Sequence, residues 1–235
     1  FGLKAAAMPF HAWLPDAHSS APAPISSMLS GVLIKALGIY VLIRIFFNML
    51  GAPQVFLTMF LVLGSLSIIA GVFLAIGQWD MKRLLAYHSI SQIGYILLGL
   101  GIATPLGILG AVYHLLNHAI FKGLLFYNAG AVEMVFGTRD LRKLGNLRKL
   151  LPTTTHTSLI ASLSISGIPP FNGFFSKLII IIAAIQAGLP VYAILAVVGS
   201  LLTLASFMKV QRYGFRGNAE PVTSNVRIGW GMNAA

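Results

Sequence analysis

The sequence predicts an all-α polytopic membrane protein, and three observations carry that prediction. The 235 residues are 57% hydrophobic and 9% charged, with a mean hydropathy of +0.86; soluble domains carry about 25% charged residues. The apolar residues fall into unbroken runs, several near the ~20 residues that cross a bilayer as a helix. Lys and Arg gather in alternate connections between those runs, as expected when charge sets topology. The net charge of +11 therefore reads as a topology signal rather than a nucleic-acid surface. The sequence contains no cysteine, which excludes thiolate iron–sulfur or zinc ligation here.

Taken in order, 1–14 reads as the tail of a helix broken around Pro9. Residues 24–47 form a full span, and 54–79 a second that ends at Asp80-Met81-Lys82-Arg83. A third, 82–101, follows through a very tight connection. Residues 105–137 form one long helix. The basic run 138–150 is expected to be a short amphipathic linker at the membrane interface. Residues 152–188 are too many for one straight span and contain Gly167-Ile168-Pro169-Pro170. Adjacent prolines remove donors and stop a helix, so two half-helices around an unwound stretch are predicted. A last span covers 190–213, and the polar tail from Gly214 is expected to be loosely held. The chain opens with Phe inside an apolar run, which suggests the C-terminal part of a longer protein.

Alternating spans place the segment near Asp16, the Asp80–Arg83 turn, the 138–150 linker and the end after Lys209 on one side. Eleven of the sixteen basic residues lie there: Lys82, Arg83, Arg139, Arg142, Lys143, Arg148, Lys149, Lys209, Arg212, Arg216 and Arg227. The opposite connections hold none. That side is expected to be cytoplasmic in a multi-pass cell (inner) membrane protein.

The remaining basic residues are Lys4, Lys35, Arg44, Lys122 and Lys177. Arg44 lies near a span end and can snorkel to the headgroups. The four lysines fall inside apolar segments, where each costs about 2.5–3.5 kcal/mol on insertion scales. Few acids are available to them, since Asp16, Asp80 and Asp140 fall in loops and Glu133 alone lies in a helix. Desolvation and neighbouring cations lower a lysine pKa, so such amines can exchange protons near neutral pH. The alternative is that they only pair with acids elsewhere and hold helices together.

His114, His118 and Lys122 stand at i, i+4 and i+8 of the long helix. They stack on one face with about 6 Å of rise between neighbours. Glu133, eleven residues past Lys122, returns close to that face. Titratable groups aligned inside an oily helix are either a costly accident or a proton route, and the proton route is the reading adopted. A metal site at the histidine pair is the weaker reading, because no carboxylate or thiol stands at ligand spacing. His88 opens a polar strip with Ser89, Ser91 and Gln92 that can order water. His11 and His18 read as loop-stabilising, and His156 as a residue near the cytoplasmic mouth. The two breaks, at Met8-Pro9 and 167–173, lie five spans apart and each has a lysine nearby. Unwound backbone at membrane depth is tolerated where protein or water satisfies it, and paired breaks point to a transport site. Ordinary proline kinks are the alternative.

These residues carry a resemblance. The run from Lys4 through Met8-Pro9-Phe10-His11-Ala12-Trp13-Leu14-Pro15-Asp16-Ala17-His18 to Ala21-Pro22 is one of four long motifs. The others are Lys82–Tyr95, Asn117–Phe126 and Gly167–Lys177. Together they resemble the antiporter-like subunits of respiratory NADH–quinone oxidoreductase, Mrp-type sodium/proton antiporters and membrane-bound hydrogenases. The resemblance implies part of a fourteen-helix fold with two inverted five-helix repeats. Residues 1–53 would be the end of the first repeat, holding broken helix seven and helix eight. Residues 54–213 would be the second, with helix twelve broken near 167–173, and 214–235 a polar tail. Lys4, Lys35, Lys122 and Lys177 would match the lysines of helices seven, eight, eleven and twelve. Glu takes the last of these positions in some relatives.

The expected function is proton translocation through Lys4, Lys35, His114, His118, Lys122, Lys177, His88 and Glu133, driven by a hydrophilic redox module in a larger complex. A subunit of a gradient-driven Na⁺/H⁺ antiporter is the alternative. Expected partners are other membrane subunits, lipid, H⁺ and, on the alternative reading, Na⁺. No nucleic acid is expected, and no cofactor or metal in this chain.

Overall fold

The computed structural model describes residues 2–216, the side chains of Lys35 and Ala36 excepted. The described residues are helical, without a β-strand beyond one isolated bridge between Asp80 and Asp140. In chain order the helices are α1 (Gly2–Ala5), α2 (Trp13–Ser20), α3 (Ala23–Met49), α4 (Gln54–Ile76) and α5 (Met81–Ile102). They continue with α6 (Pro105–Phe136), α7 (Leu147–Leu150), α8 (Pro152–Ser166), α9 (Asn172–Gln186) and α10 (Pro190–Phe215). Five of them, α3, α4, α5, α6 and α10, are long and apolar enough to cross a membrane.

Local chemistry sets these boundaries. Asp80 caps α5 by accepting from the Arg83 amide at 2.9 Å, and Thr104 caps α6 by accepting from Gly107 at 3.1 Å. Pro stands in the first helical turn of α6, α8 and α10, where its missing N–H costs nothing. Helix α6 stops at Gly137, whose φ of +63° suits a glycine. The predicted break is present: α8 ends at Gly167, and α9 restarts at Asn172 after the two prolines. The half-helices cross so closely there that a Cβ at Gly173 would lie 1.8 Å from the Ser164 carbonyl oxygen. A second break separates α1 from α2 around Pro9.

Helix α5 is the axis of the bundle. It packs against α2, α4, α6, α9 and α10, and 94% of its apolar stretch is buried. Glycines let α4 approach it. Gly64 and Gly71 on α4, and Gly94 and Gly101 on α5, each have backbone of the other helix where a Cβ would sit. Helix α3 contains π-helical turns at Leu29–Leu33, Lys35–Tyr40 and Arg44–Met49.

The expected short linker 138–150 is a pinned loop with one helical turn, α7. Gly137 and Asn146 both take positive φ, and Met81 N–H to Arg139 O (3.1 Å) and Leu141 N–H to Trp79 O (2.9 Å) tie it to the α4–α5 turn. Lys209, read as a loop cation, instead donates to the carbonyls of Ile76 and Gln78, both at 2.6 Å, and so caps α4. The expected tail lies beyond the described residues apart from 214–216.

Candidate functional site

The i, i+4, i+8 register of α6 survives as a buried row. His114, His118 and Lys122 are 0–1% exposed, and the two imidazoles lie parallel with centroids 6.3 Å apart. Lys122 Nζ donates to the Leu85 carbonyl on α5 and lies 5.6 Å from the Phe126 ring centre. Leu85 O also accepts from Ser89 Oγ at 3.3 Å, and Ser89 meets Ser30 of α3 at 3.0 Å. At the other end His114 Nδ1 meets Ser176 Oγ at 2.9 Å, which brings the row to the start of α9.

Lys177 stands beside Ser176 and is 2% exposed. Its Nζ donates to Ile165 O at 2.8 Å, a carbonyl in the last turn of α8, and sits 4.4 Å over the Tyr95 ring. That ring is 5.6 Å from His114, so Tyr95 touches both the histidine row and the lysine. The Tyr95 hydroxyl donates to Ala196 O at 2.7 Å and meets Ser200 at 3.1 Å. Lys177 also lines a cavity of about 300 Å³ between the break and α10, with Gly167, Phe174 and Ser200. The break is held to α6 by a pair of side-chain amides. Asn172 Nδ2 donates to Asn117 Oδ1 at 2.9 Å, and Asn117 Nδ2 to Asn172 O at 3.2 Å.

His88 is fully buried on the α10 side of α5. Its Nε2 meets Ser206 Oγ at 2.8 Å, and its ring stacks on Phe207 at 4.7 Å.

The structure departs from the expected site at two residues. Glu133 does not face the relay. Eleven residues carry it about 16 Å along α6, to the loop end, where it meets Lys82 at 2.8 Å and Arg139 at 3.6 Å. Lys4 is exposed rather than buried, at the edge of an apolar groove with Leu3, Trp13, Leu29, Leu33 and Leu37. The Lys35 side chain lies outside the described residues. His18, read as loop-stabilising, is fully buried and stacked on Phe126 at 4.5 Å, while His156 is exposed.

Sequence reasoning also missed Lys82, counted as a loop cation. It is 2% exposed and donates to Ala21 O at 3.2 Å besides its pair with Glu133. Around it Arg139 meets Asp80 (3.2 Å) and Arg83 meets Asp16 (3.1 Å), at a cavity of about 530 Å³ that Lys82, Glu133 and Arg139 help line. Arg142 forks onto Asp140 at 2.8–3.2 Å, and those hydrogen bonds hold the Asp140 carboxyl below the usual range. Each described carboxylate thus finds its cation at the loop face, away from the His–Lys row. Tyr95 and Ser176 were likewise missed as members of the site. The signal for Tyr95 was its place seven residues past His88, on one face of α5.

A family model for the transmembrane region of NADH:quinone oxidoreductase and Mrp antiporters matches residues 1–203. The chain belongs to this family. Within the NADH:quinone oxidoreductase/Mrp antiporter family it is 40% identical to an Na(+)/H(+) antiporter subunit of Alkalihalophilus pseudofirmus, over 97% of the chain and 47% of that protein. It is 39% identical to an NADH-quinone oxidoreductase subunit of Desulforudis audaxviator, over 89% of the chain and 42% of that protein. Its fold matches a component in the structure of the Mrp complex from Dietzia sp., with a TM-score of 0.91 and 38% identity over 95% of the chain and 42% of that component. The chain therefore spans about half the length of the relatives it matches.

Proposed function

We propose that this chain contributes to proton translocation in an antiporter-like membrane subunit of a larger complex. The observation that carries this reading is a pair of buried amines, Lys122 and Lys177, connected by His118, His114 and Tyr95 across α6, α5 and α9. Both amines rest on backbone carbonyls, a neutral acceptor that satisfies one donor without fixing the charge. A proton would pass by way of water and imidazole between Lys122 and Lys177, with Lys35 feeding the Lys122 end and His88 flanking the middle. Lys177 would reach the far side through the cavity at the break. The basic loop face would be cytoplasmic, with residues 1–53 closing a first repeat and 54–213 forming a second.

Moving one proton against 150 mV costs about 3.5 kcal/mol, from ~2.3 per 100 mV. That energy is proposed to come from a redox module in a partner subunit. The similarity to an Na(+)/H(+) antiporter subunit over 97% of the chain favours a second reading, exchange driven by a sodium gradient alone. Proton translocation by the intact complex in vesicles, wild-type against Lys122→Ala, tests the relay. Loss of pumping with assembly intact is expected, and pumping at the wild-type rate would contradict it. Sodium-dependent proton movement without a redox donor would select the second reading.

A further inference from the structure

The two lysines lie against different parts of α5: Lys122 at the carbonyl of Leu85, Lys177 over the ring of Tyr95. Ten residues separate these contacts, about 15 Å along the helix. Between them α5 carries Tyr87, His88, Ser89, Ser91 and Gln92, of which His88 and Gln92 stand at i and i+4 and therefore one above the other. Gln92 is 0% exposed, and neither its amide oxygen nor its amide nitrogen has a hydrogen-bond partner among the described residues. His88 Nε2 is taken by Ser206, whereas its Nδ1 has no hydrogen-bond partner among the described residues. By helical angle, Gln92 stands between the side of α5 that carries His88 and Tyr95 and the side that carries Leu85 and Ser89. A buried primary amide with its donors and acceptor unused is costly in a packed core, and in native proteins ordered water takes that place.

We propose that Gln92 is a positioning residue whose amide holds the water joining the Lys122 end of the buried line to the Lys177 end. The inference rests on the relay reading above and adds a residue to it. An amide suits the task because it both donates and accepts while never ionising. It orients a water chain in either direction without trapping the proton. A carboxamide contributes nothing to an apolar core that a thioether of similar length would not supply, so the two roles separate by substitution.

The test is proton translocation by the intact complex in vesicles, with Gln92→Met and Gln92→Asn. If Gln92 holds water, Gln92→Met lowers flux by about ten-fold or more, while Gln92→Asn, which keeps a non-ionising amide that donates and accepts, retains more of it. Wild-type flux in Gln92→Met, or flux in Gln92→Asn no higher than in Gln92→Met, would overturn the proposal in favour of packing. Should Gln92→Met fail to assemble, a wild-type map that resolves waters decides. Water bonded to the amide supports the assignment, and an amide bonded wholly by protein overturns it. Lys122→Ala separates the two readings: its loss of flux beside an unaffected Gln92→Met leaves the relay standing and removes Gln92 from it.

Discussion

The Glu133 carboxylate is shared between Lys82 at 2.8 Å and Arg139 at 3.6 Å, and of the three side chains Lys82 is the one withdrawn from solvent. Removing the acid leaves a buried ammonium resting on the Ala21 carbonyl. Glu133→Gln is therefore expected to cost about 1–3 kcal/mol, at the low end for a buried pair because the carboxylate is 37% exposed. Thermal unfolding of the purified complex would measure this. Flux per assembled complex should stay near wild type, because Glu133 stands apart from the His–Lys row. The helical register of His114, His118 and Lys122 was legible because it is local, set by 3.6 residues per turn. The partnership of Glu133 was not, because the nearest face down its own helix is not the nearest cation in space. Lys82 was misread for a related reason: proximity to a turn suggests solvent, whereas the approach of Ala21 and Glu133 buries it.

Helix α5 carries the geometry at the next scale, because Leu85, His88, Gln92 and Tyr95 all belong to it and lie along the line between the two lysines. Its closeness to α4 depends on glycine: a Cβ on Gly94 would lie 2.5 Å from Gly64 O and 2.7 Å from Ile68 N, both backbone atoms that cannot swing aside. Gly94→Ala is expected to destabilise the bundle by about 1–3 kcal/mol through overpacking, seen as reduced assembly or a lower unfolding temperature. At exposed Gly51 an added Cβ meets nothing within 4 Å, so a substitution there is opposed by its φ of +66° rather than by packing. Spans and breaks were legible from apolar length and from Pro169-Pro170, which act over a few residues. The π-helical turns of α3 were not, since an extra residue per turn leaves no mark in hydropathy. The linker was legible as a short basic connection, but the backbone ties that pin it to the α4–α5 turn are a tertiary contact that charge periodicity does not register.

Across the whole molecule, the ion pairs of Asp16, Asp80, Glu133 and Asp140 gather at one face, while the buried amines of Lys122 and Lys177 lie within the bundle. This separation of fixed pairs from carbonyl-seated amines is what the relay requires. It also gives the orientation a direct test in a sequence without cysteine. Lys143→Cys is expected to label from the cytoplasmic side, and Leu50→Cys, in the exposed α3–α4 connection, from the opposite side; the reverse pattern would invert the topology. The central claim is that the buried amines release and rebind protons rather than merely carry charge. Lys177→Arg tests it most directly, because a guanidinium keeps the charge and the hydrogen-bonding capacity but does not deprotonate in proteins. The account predicts an assembled complex whose proton translocation in vesicles falls at least about ten-fold, a barrier increase of about 1.4 kcal/mol or more. Wild-type translocation by Lys177→Arg would contradict it.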